Sequence, residues 1–188
     1  TLSFCISYFG AASGDLPEEL RTANCYWLDD LEIPSPNDYW MLNMDTRITP
    51  RHPKAISVMT EADPADYRRW FGTDGSDPEY LALKESLIRH HEKCLCHRYP
   101  GLKGKLEPLL LSTPVSYERF NGGEAGAIYG LGLSVKYRNL GSKASLGGLY
   151  LAGQSIVPGV LGAVISSLLA CYNLLDADTL WGEIKRCR

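Results

Sequence analysis

The sequence predicts a mixed α/β (α+β) chain, in which a sheet with helices is followed by a C-terminal strand-helix unit. Apolar runs of strand length dominate the first half, and two proline-initiated helices come after most of them. A glycine-rich loop then leads into a long apolar helix near the end. The 188 residues are 45% hydrophobic and 22% charged, which is ordinary for a globular protein. This length can form one or two domains with a sizeable core.

Four apolar runs, bounded by glycine, proline and polar residues, predict the strands of the sheet. Prolines interrupt the last of these runs, and the segment between the first two is mixed and polar. In that segment only one turn of helix is expected, at Pro17–Leu20. The four runs lie at 2–9, 39–45, 55–60 and 106–115.

Two helices are expected to start in the same way, with an aspartate followed by a proline. Asp63-Pro64 and Asp77-Pro78 each place a capping side chain before a proline in the first turn, where its missing N–H is not needed. We expect helices over about 64–71 and 78–99, the second stopped by Pro100-Gly101. An apolar stripe along the second helix should face the core. The stripe contains Tyr80, Leu83, Leu87, Ile88, His91, Cys94 and Leu95.

The chain is organised around a glycine-rich segment near the C-terminus. Leu149–Ala152 is a short apolar run typical of a strand buried on both faces, and a helix is expected over about 160–175. Gly153 and Pro158-Gly159 mark the turns between them. A helix start without side chains exposes backbone N–H groups and the positive end of the helix dipole, which suits an electron-rich ligand.

Two other interpretations of this segment stay open. The glycines could serve only to let strand, loop and helix pack closely. A membrane span is the third option because residues 157–175 carry no charge, but a span needs about 20 apolar residues. Pro158-Gly159 breaks the run and Ser166, Ser167 and Asn173 dilute it, so a span is disfavoured.

Charge and cysteine content argue against several classes of function. A net charge of −3 and dispersed Lys and Arg residues speak against a nucleic-acid partner. The six cysteines lack a framework spacing, so we expect free thiols in a reducing compartment, with the cytoplasm as the default. No signal peptide is evident, and because Thr1 is not an initiator Met we expect the chain to begin partway through a larger protein.

Histidines and cysteines cluster on the second predicted helix, where a metal site must be considered. Successive helical residues turn by about 100°, so only His90, Cys94 and His97 can share a face. This set is one ligand short of a closed structural zinc site. We therefore predict no metal, with Cys94 in the core beside surface histidines. A Cys-His nucleophilic pair stays open, although no flanking signature favours one.

Two segments resemble those of a known flavoprotein family. Leu149-Tyr-Leu-Ala-Gly-Gln-Ser155, continued by Pro158-Gly-Val-Leu-Gly-Ala163, is similar to the C-terminal flavin motif of the phytoene desaturase, carotenoid isomerase and retinol saturase family. Residues 113–120 and 126–130 resemble the segment before this motif. Many members carry Gly-Asp where this chain has Gly153-Gln154, and glutamine there looks more like the retinol saturase branch.

The resemblance implies FAD as the cofactor and gives roles to particular residues. Gly153 would let the backbone approach the ribityl chain, and Gln154 would hydrogen-bond a ribityl hydroxyl about 1 kcal/mol more weakly than a carboxylate. The N–H groups at the helix start would face the isoalloxazine and favour the reduced flavin. These helix-start residues are Gly159, Val160, Leu161, Gly162 and Ala163. Catalytic side chains stay unknown, and the aromatic residues implied to line the substrate channel are Tyr117, Phe120 and Tyr129.

The resemblance also implies an organisation in two parts. Residues 1–112 would belong to a substrate domain, and residues 113–188 to the C-terminal part of a Rossmann-like FAD-binding domain. The Gly-x-Gly-x-x-Gly fingerprint occurs nowhere in the sequence. The dinucleotide-binding segment is therefore expected outside this chain, and the fragment alone should be inactive. The remainder of the same polypeptide would be its partner.

The function implied is that of an FAD-dependent oxidoreductase that saturates, desaturates or isomerises an apolar polyene, such as a carotenoid or retinoid. Access to such a substrate would favour peripheral contact with a membrane. Two alternatives stay open: a non-catalytic binding or interaction module derived from the fold, and an amine-oxidase-like flavoprotein. The second would often bind flavin through a cysteine, and Cys171 lies about three helical turns beyond the proposed contact, which argues against it.

Overall fold

The computed structural model describes residues 3–12, 16–22, 25–27, 39–44, 54–128, 141–156 and 159–187. The chain divides into two compact units, an N-terminal unit that ends at Ile128 and a C-terminal unit that begins at Tyr129. A five-stranded sheet with helices forms the first unit. Two helices and the loop before them are the described part of the second. The predicted mixed α/β (α+β) class is confirmed.

All neighbouring strands of the sheet pair antiparallel, in the order β2-β3-β4-β1-β5. Strands occur at all four predicted runs, although the last is shorter than expected. Cys25–Trp27 is a further strand that the sequence did not predict, because three residues are too few to show an alternating pattern. The strands are β1 Phe4–Ala11, β2 Cys25–Trp27, β3 Tyr39–Met44, β4 Lys54–Glu61 and β5 Glu107–Ser112.

The two helices predicted from Asp-Pro signals begin where expected. Asp63 Oδ1 accepts a hydrogen bond of 2.8 Å from the N–H of Ala65. Asp77 Oδ1 accepts from the N–H groups of Glu79 and Tyr80 at 2.9 and 3.0 Å. The first helix has 3₁₀ geometry over Pro64–Trp70. The α-helices are α1 Glu18–Thr22, α2 Pro78–Arg98, α3 Pro114–Asn121, α4 Gly159–Leu174 and α5 Ala177–Arg186.

Helix α2 packs against one face of the sheet, and α3 contributes to the core on the other. Alternate residues of a strand point to opposite faces, so Phe9 and Ile6 of β1 lie on different sides. Ile6 and Phe4 are buried with Tyr117 of α3. The larger core on the α2 side contains Phe9, Ala11, Leu16, Leu20, Ile56, Val58, Leu95, Leu102 and Leu106.

The strand predicted at 106–115 is wrong beyond Ser112, because α3 begins at Pro114. Thr113 is the N-cap residue, and its backbone N–H donates to Ser116 Oγ at 3.2 Å. A proline in the first turn completes the start signal. Leu111 of β5 and Val115 of α3 are buried in the same cluster. Buried side chains therefore continue from the strand into the helix, which hides the boundary from pattern reasoning.

The chain passes from one compact unit to the other at 128/129, whereas the predicted division into two functional parts lies at 112/113. The hydroxyl of Tyr80 lies 2.6 Å from Thr113 Oγ1, and Ser3 Oγ donates to the carbonyl of Gly126 at 2.6 Å. These contacts fix residues 113–128 to the N-terminal unit. The assignment of the units to a substrate part and an FAD-binding part stays a prediction.

The strand predicted at Leu149–Ala152 does not form, whereas the following helix is confirmed as α4. Tyr150 makes an isolated bridge with Lys143, and the N–H of Leu151 donates to the carbonyl of Ser142 at 2.7 Å. The first residue of the run is 44% exposed, so burial on both faces is also wrong. The backbone of this run pairs with the loop just before it instead of entering a sheet.

Candidate functional site

A buried serine holds the Gly153 loop against α4. The N–H of Gly153 donates to Ser166 Oγ at 2.9 Å. The same hydroxyl lies 3.2 Å from the carbonyl of Gly153 and 3.0 Å from that of Ala163. Ser166 is fully buried, and hydrogen bonds shielded from water are electrostatically stronger. The loop and the first half of α4 are thereby joined within the C-terminal unit.

Two glycines of this unit have backbone conformations that other residues rarely adopt. The φ angles are +111° at Gly153 and +85° at Gly159, in the region that favours glycine. Among the described atoms, none lies within 4 Å of the position that a Cβ would take at either residue. The backbone at both glycines is therefore open to close approach. This fits a flavin, whose ribityl chain and ring would have to rest directly against main chain.

The first turn of α4 combines glycine backbone with an exposed leucine side chain. Gly162 is buried, Gly159 and Ala163 are half-buried, and Leu161 is 72% exposed; for Val160 the structure describes only the backbone. The first N–H groups of a helix have no partner inside it, and neither an acidic nor a basic residue occurs in α4. Its start can therefore stabilise negative charge. No helix in the described part of the chain is long and apolar enough to cross a membrane.

Gln154 lies in a turn directly after Gly153. The N–H of Ile156 donates to the carbonyl of Gly153 at 3.1 Å, which closes the turn, and the Gln154 side chain is exposed. The predicted cofactor residues thus occupy two backbone segments, the turn at 153–156 and the first turn of α4, with Ser166 between them. Ser166 was not predicted as a site residue. Its position on the side of the helix that carries small residues was the sequence signal that could have identified it.

The residues predicted for a substrate channel are only partly described. Tyr117 is 8% exposed in the N-terminal unit and packs with Phe4 and Ile6. Phe120 is 77% exposed, with the Arg119 guanidinium 5.2 Å from its ring centre. Tyr129 lies outside the described residues. The structure therefore separates Tyr117, which is in the core, from Phe120, which is at the surface.

A buried histidine connects α2 to the sheet. His91 is fully buried, with Nδ1 2.7 Å from Ser7 Oγ and Nε2 3.2 Å from Thr60 Oγ1. Burial, with a smaller contribution from His90, lowers the pKa of His91 to about 4. Both ring nitrogens are engaged and solvent does not reach the ring. The Ser7-His91 pair is therefore a structural connection and not an accessible nucleophile with its base.

Burial acts against thiolate formation at two cysteines of the N-terminal unit, Cys5 and Cys96. Cys94 is half-buried, and its Sγ lies 3.6 Å from His90 Nε2. Burial raises the pKa of Cys5 to about 11 and also raises that of Cys96, whereas a nucleophilic cysteine needs a lowered pKa. Among the described residues no three His, Cys, Asp or Glu side chains are placed to hold a metal.

Comparison with known proteins gives a partial similarity. The chain is 26% identical over 121 residues to human all-trans-retinol 13,14-reductase. The matched segment covers 61% of this chain and only 19% of the relative's length. No family model matches the chain, and no solved structure matches it. The similarity supports the retinol saturase-like resemblance as a loose relationship.

Proposed function

We propose that this chain is the C-terminal part of an FAD-dependent oxidoreductase that acts on an apolar polyene of the retinoid or carotenoid class. The observation that carries the proposal is the open backbone at Gly153 and Gly159, on a loop and helix that Ser166 joins. The similarity to a reductase of all-trans-retinol supports an oxidoreductase with a retinoid-like substrate. The flavin motif that the sequence resembles lies on these same residues.

The contribution of this chain would be binding and orientation. Bound flavin would supply the hydride chemistry. The N–H groups of the first turn of α4 would stabilise negative charge on a ligand beside them. The bare backbone at Gly153 and Gly159 would admit the ligand at contact distance. Gln154 would add a neutral hydrogen bond to a hydroxyl, without the charge that an aspartate would bring.

The rest of the cofactor site would come from polypeptide outside this chain. The sequence contains no Gly-x-Gly-x-x-Gly fingerprint, and the chain matches only 19% of its relative's length. In this proposal another segment of the same protein holds the ADP half of FAD. The N-terminal unit contributes to the substrate domain, and contact with a membrane surface delivers the apolar substrate.

A matched pair of glycine substitutions tests the flavin site. Gly153 and Gly148 lie in the same unit, have φ angles of +111° and +81°, and have no described atom within 4 Å of a Cβ position. We expect Gly153→Val to weaken FAD binding by the full-length protein about tenfold, or about 1.4 kcal/mol, because the side chain blocks the ligand. Gly148→Val causes similar backbone strain away from the site, so the FAD affinity of this variant should equal that of the wild type.

Titration of the flavin fluorescence measures both affinities, and circular dichroism checks that both variants are folded. Wild-type affinity in Gly153→Val would contradict the assignment of this loop. A full-length protein without a flavin absorption band, after gentle purification and addition of FAD, would contradict the enzyme and favour the non-catalytic module.

A further inference from the structure

A cavity of about 700 Å³ lies beside the C-terminal half of α2, in the N-terminal unit. Sites for small molecules commonly have such a volume. None of the described lining residues has a purely hydrocarbon side chain, and the proposed flavin function uses none of them. The charged lining residues are Arg89, Glu92, Lys93 and Lys103, and two histidines and two cysteines complete the described lining.

Positive charge predominates in this cavity. The three cations Arg89, Lys93 and Lys103 and the carboxylate of Glu92 give the described lining a formal charge of +2, in a chain whose net charge is −3. Arg89 is paired with Glu85 at 2.6 Å. Both lysines are exposed, and neither forms an ion pair with another described residue. Their ammonium groups can therefore attract an anion into the cavity.

A thiol and an imidazole meet in the same cavity. Cys94 and His90 are four residues apart on α2, and Cys94 Sγ lies 3.6 Å from His90 Nε2. Both side chains line the cavity, with Cys94 half-buried and His90 exposed. An imidazole in this position can accept the thiol proton. The thiolate that results is the nucleophilic form of cysteine.

The second thiol of the cavity, that of Cys96, has different surroundings. Burial raises the pKa of Cys96 and the Glu92 carboxylate raises it further, against a smaller opposing effect of Lys103. Cys96 should therefore keep its proton at neutral pH and react slowly. Of the two thiols in the cavity, Cys94 is the one that we expect to react.

We propose that this cavity binds the disulfides of small acidic thiols, and that Cys94 forms a mixed disulfide with them. The ammonium groups of Lys93 and Lys103 bind the carboxylates of the ligand, and His90 acts as the base for the thiol. The inference is independent of the proposed function, because it uses residues of the other compact unit and requires no flavin.

The exchange step is balanced in atoms and electrons. His90 Nε2 accepts the proton of Cys94, and the thiolate attacks one sulfur of the ligand disulfide. A bond forms between Cys94 Sγ and this sulfur while the original S–S bond breaks. The other half of the ligand leaves as a thiolate, which takes the proton back from His90. Cys94 is oxidised and the departing half is reduced, so the ligand itself is the oxidant.

Two thiol reagents of different charge test the proposal in the 188-residue chain. Dithiobis(nitrobenzoate) is an aromatic disulfide with a carboxylate on each ring, and dithiodipyridine is a neutral aromatic disulfide. Absorbance follows both reactions, and peptide mass spectrometry assigns a rate to each cysteine. The reference is Cys171, which is half-buried like Cys94 but lies on α4, a helix without charged residues.

We expect Cys94 to prefer the anionic reagent over the neutral one about tenfold more strongly than Cys171 does, because the cationic cavity concentrates anions. Added salt should reduce this preference. Lys93→Gln and Lys103→Gln should each reduce it about threefold, as the loss of one nearby charge predicts. Lys185→Gln, in the other unit, is the control and should leave it unchanged.

The histidines of the cavity provide a second matched pair. His90→Gln should slow the reaction of Cys94 with both reagents and keep the preference for the anion, because it removes the base and no fixed charge. His97 lines the same cavity, and His97→Gln should leave both rates nearly unchanged. Circular dichroism checks that all variants are folded.

Three results overturn the proposal: a preference for the anion at Cys94 no greater than at Cys171, a full preference in both lysine variants, or a faster reaction at Cys96 than at Cys94. An unchanged rate in His90→Gln overturns the role of His90 as the base.

Discussion

Protonation of His91 links pH to the stability of the N-terminal unit. Its pKa is about 4 in the folded protein, against an ordinary value of 6.5. Between these values the unfolded chain takes up the proton more readily, so the stability present above pH 6.5 is lost as the pH falls toward 4. We expect protonation of His91 in the unfolded chain to make the free energy of unfolding about 2 kcal/mol lower at pH 5 than at pH 7.5.

Urea unfolding of the wild type and His91→Gln at these two pH values measures the effect. Glutamine cannot take up the proton, so the pH-dependent loss should shrink in this variant. His90→Gln is the control, because His90 is exposed on the same helix. This variant should keep nearly the full pH-dependent loss of stability. A full-sized loss in His91→Gln would show that other groups cause it.

At the scale of single residues, the sequence predicted backbone conformation better than tertiary contacts. Gly153 and Gly159 stood out in the sequence, and both have φ angles that favour glycine. Ser166 did not stand out in the sequence, because its hydrogen-bond partner Gly153 lies 13 residues earlier and no local signal marks the pair.

Elements were predictable where their start signals are local. The Asp-Pro signals gave the start of α2 within one residue, because the capping aspartate contacts the N–H groups two and three residues later. The strand predicted at 149–152 is wrong, because a strand needs neighbouring strands and these residues pair with the preceding loop instead. A short apolar run therefore indicates side chains that can be buried, but it does not show that a sheet forms.

The joint between the Gly153 loop and α4 is the element-scale contact that the proposed site depends on. Ser166→Ala removes the acceptor of the Gly153 N–H. We expect a loss of about 1 kcal/mol in stability of the C-terminal unit and weaker FAD binding, because the loop is no longer oriented. Thermal unfolding and flavin titration measure the two effects.

Ser167→Ala is the matched control for this change. Its exposed hydroxyl donates to the carbonyl of Ala163 at 2.8 Å, within α4, so both effects should be small. An equal loss of FAD affinity in the two variants would mean that removal of any serine hydroxyl from α4 has this effect, and that the contact with Gly153 is not responsible.

For the molecule as a whole, the order of strands and helices gave the fold class, and long-range contacts decided the boundary between units. The sequence divided the chain at 112/113 because the resemblance to the flavin family begins there. Two contacts, Tyr80 with Thr113 and Ser3 with Gly126, join residues 33 and 123 positions apart and hold residues 113–128 in the N-terminal compact unit. The division into a substrate part and an FAD-binding part stays a prediction. Contacts over such separations leave no trace in a local pattern.

Helix α4 of the C-terminal unit carries several large apolar side chains that are exposed in the described part of the chain. On α4 the large apolar side chains that are 42–72% exposed are Leu161, Val164, Ile165, Leu168, Leu169, Tyr172 and Leu174. We expect the 188-residue chain to bind an apolar fluorescent dye. Replacement of Leu161 and Leu168 by glutamine should reduce the bound signal by about a third, in proportion to the apolar area removed. Dye titration measures the change.

A single exposed leucine in the other unit provides the control. Leu81 of α2 is 50% exposed, and Leu81→Gln should leave dye binding nearly unchanged. Dye binding that is insensitive to the α4 substitutions would place the apolar surface elsewhere in the chain.

The position of β1 in the sheet has a consequence for biosynthesis. It is flanked by β4 and β5 and yet precedes both in the chain, since Phe4 pairs with Glu61 and Ile6 pairs with Ser112. Pairings between such distant residues close long loops and slow folding. Until the ribosome has released the chain beyond residue 112, β1 lacks one of its two neighbours. The nascent chain then displays an aggregation-prone strand edge, for which protection by a chaperone would be of value.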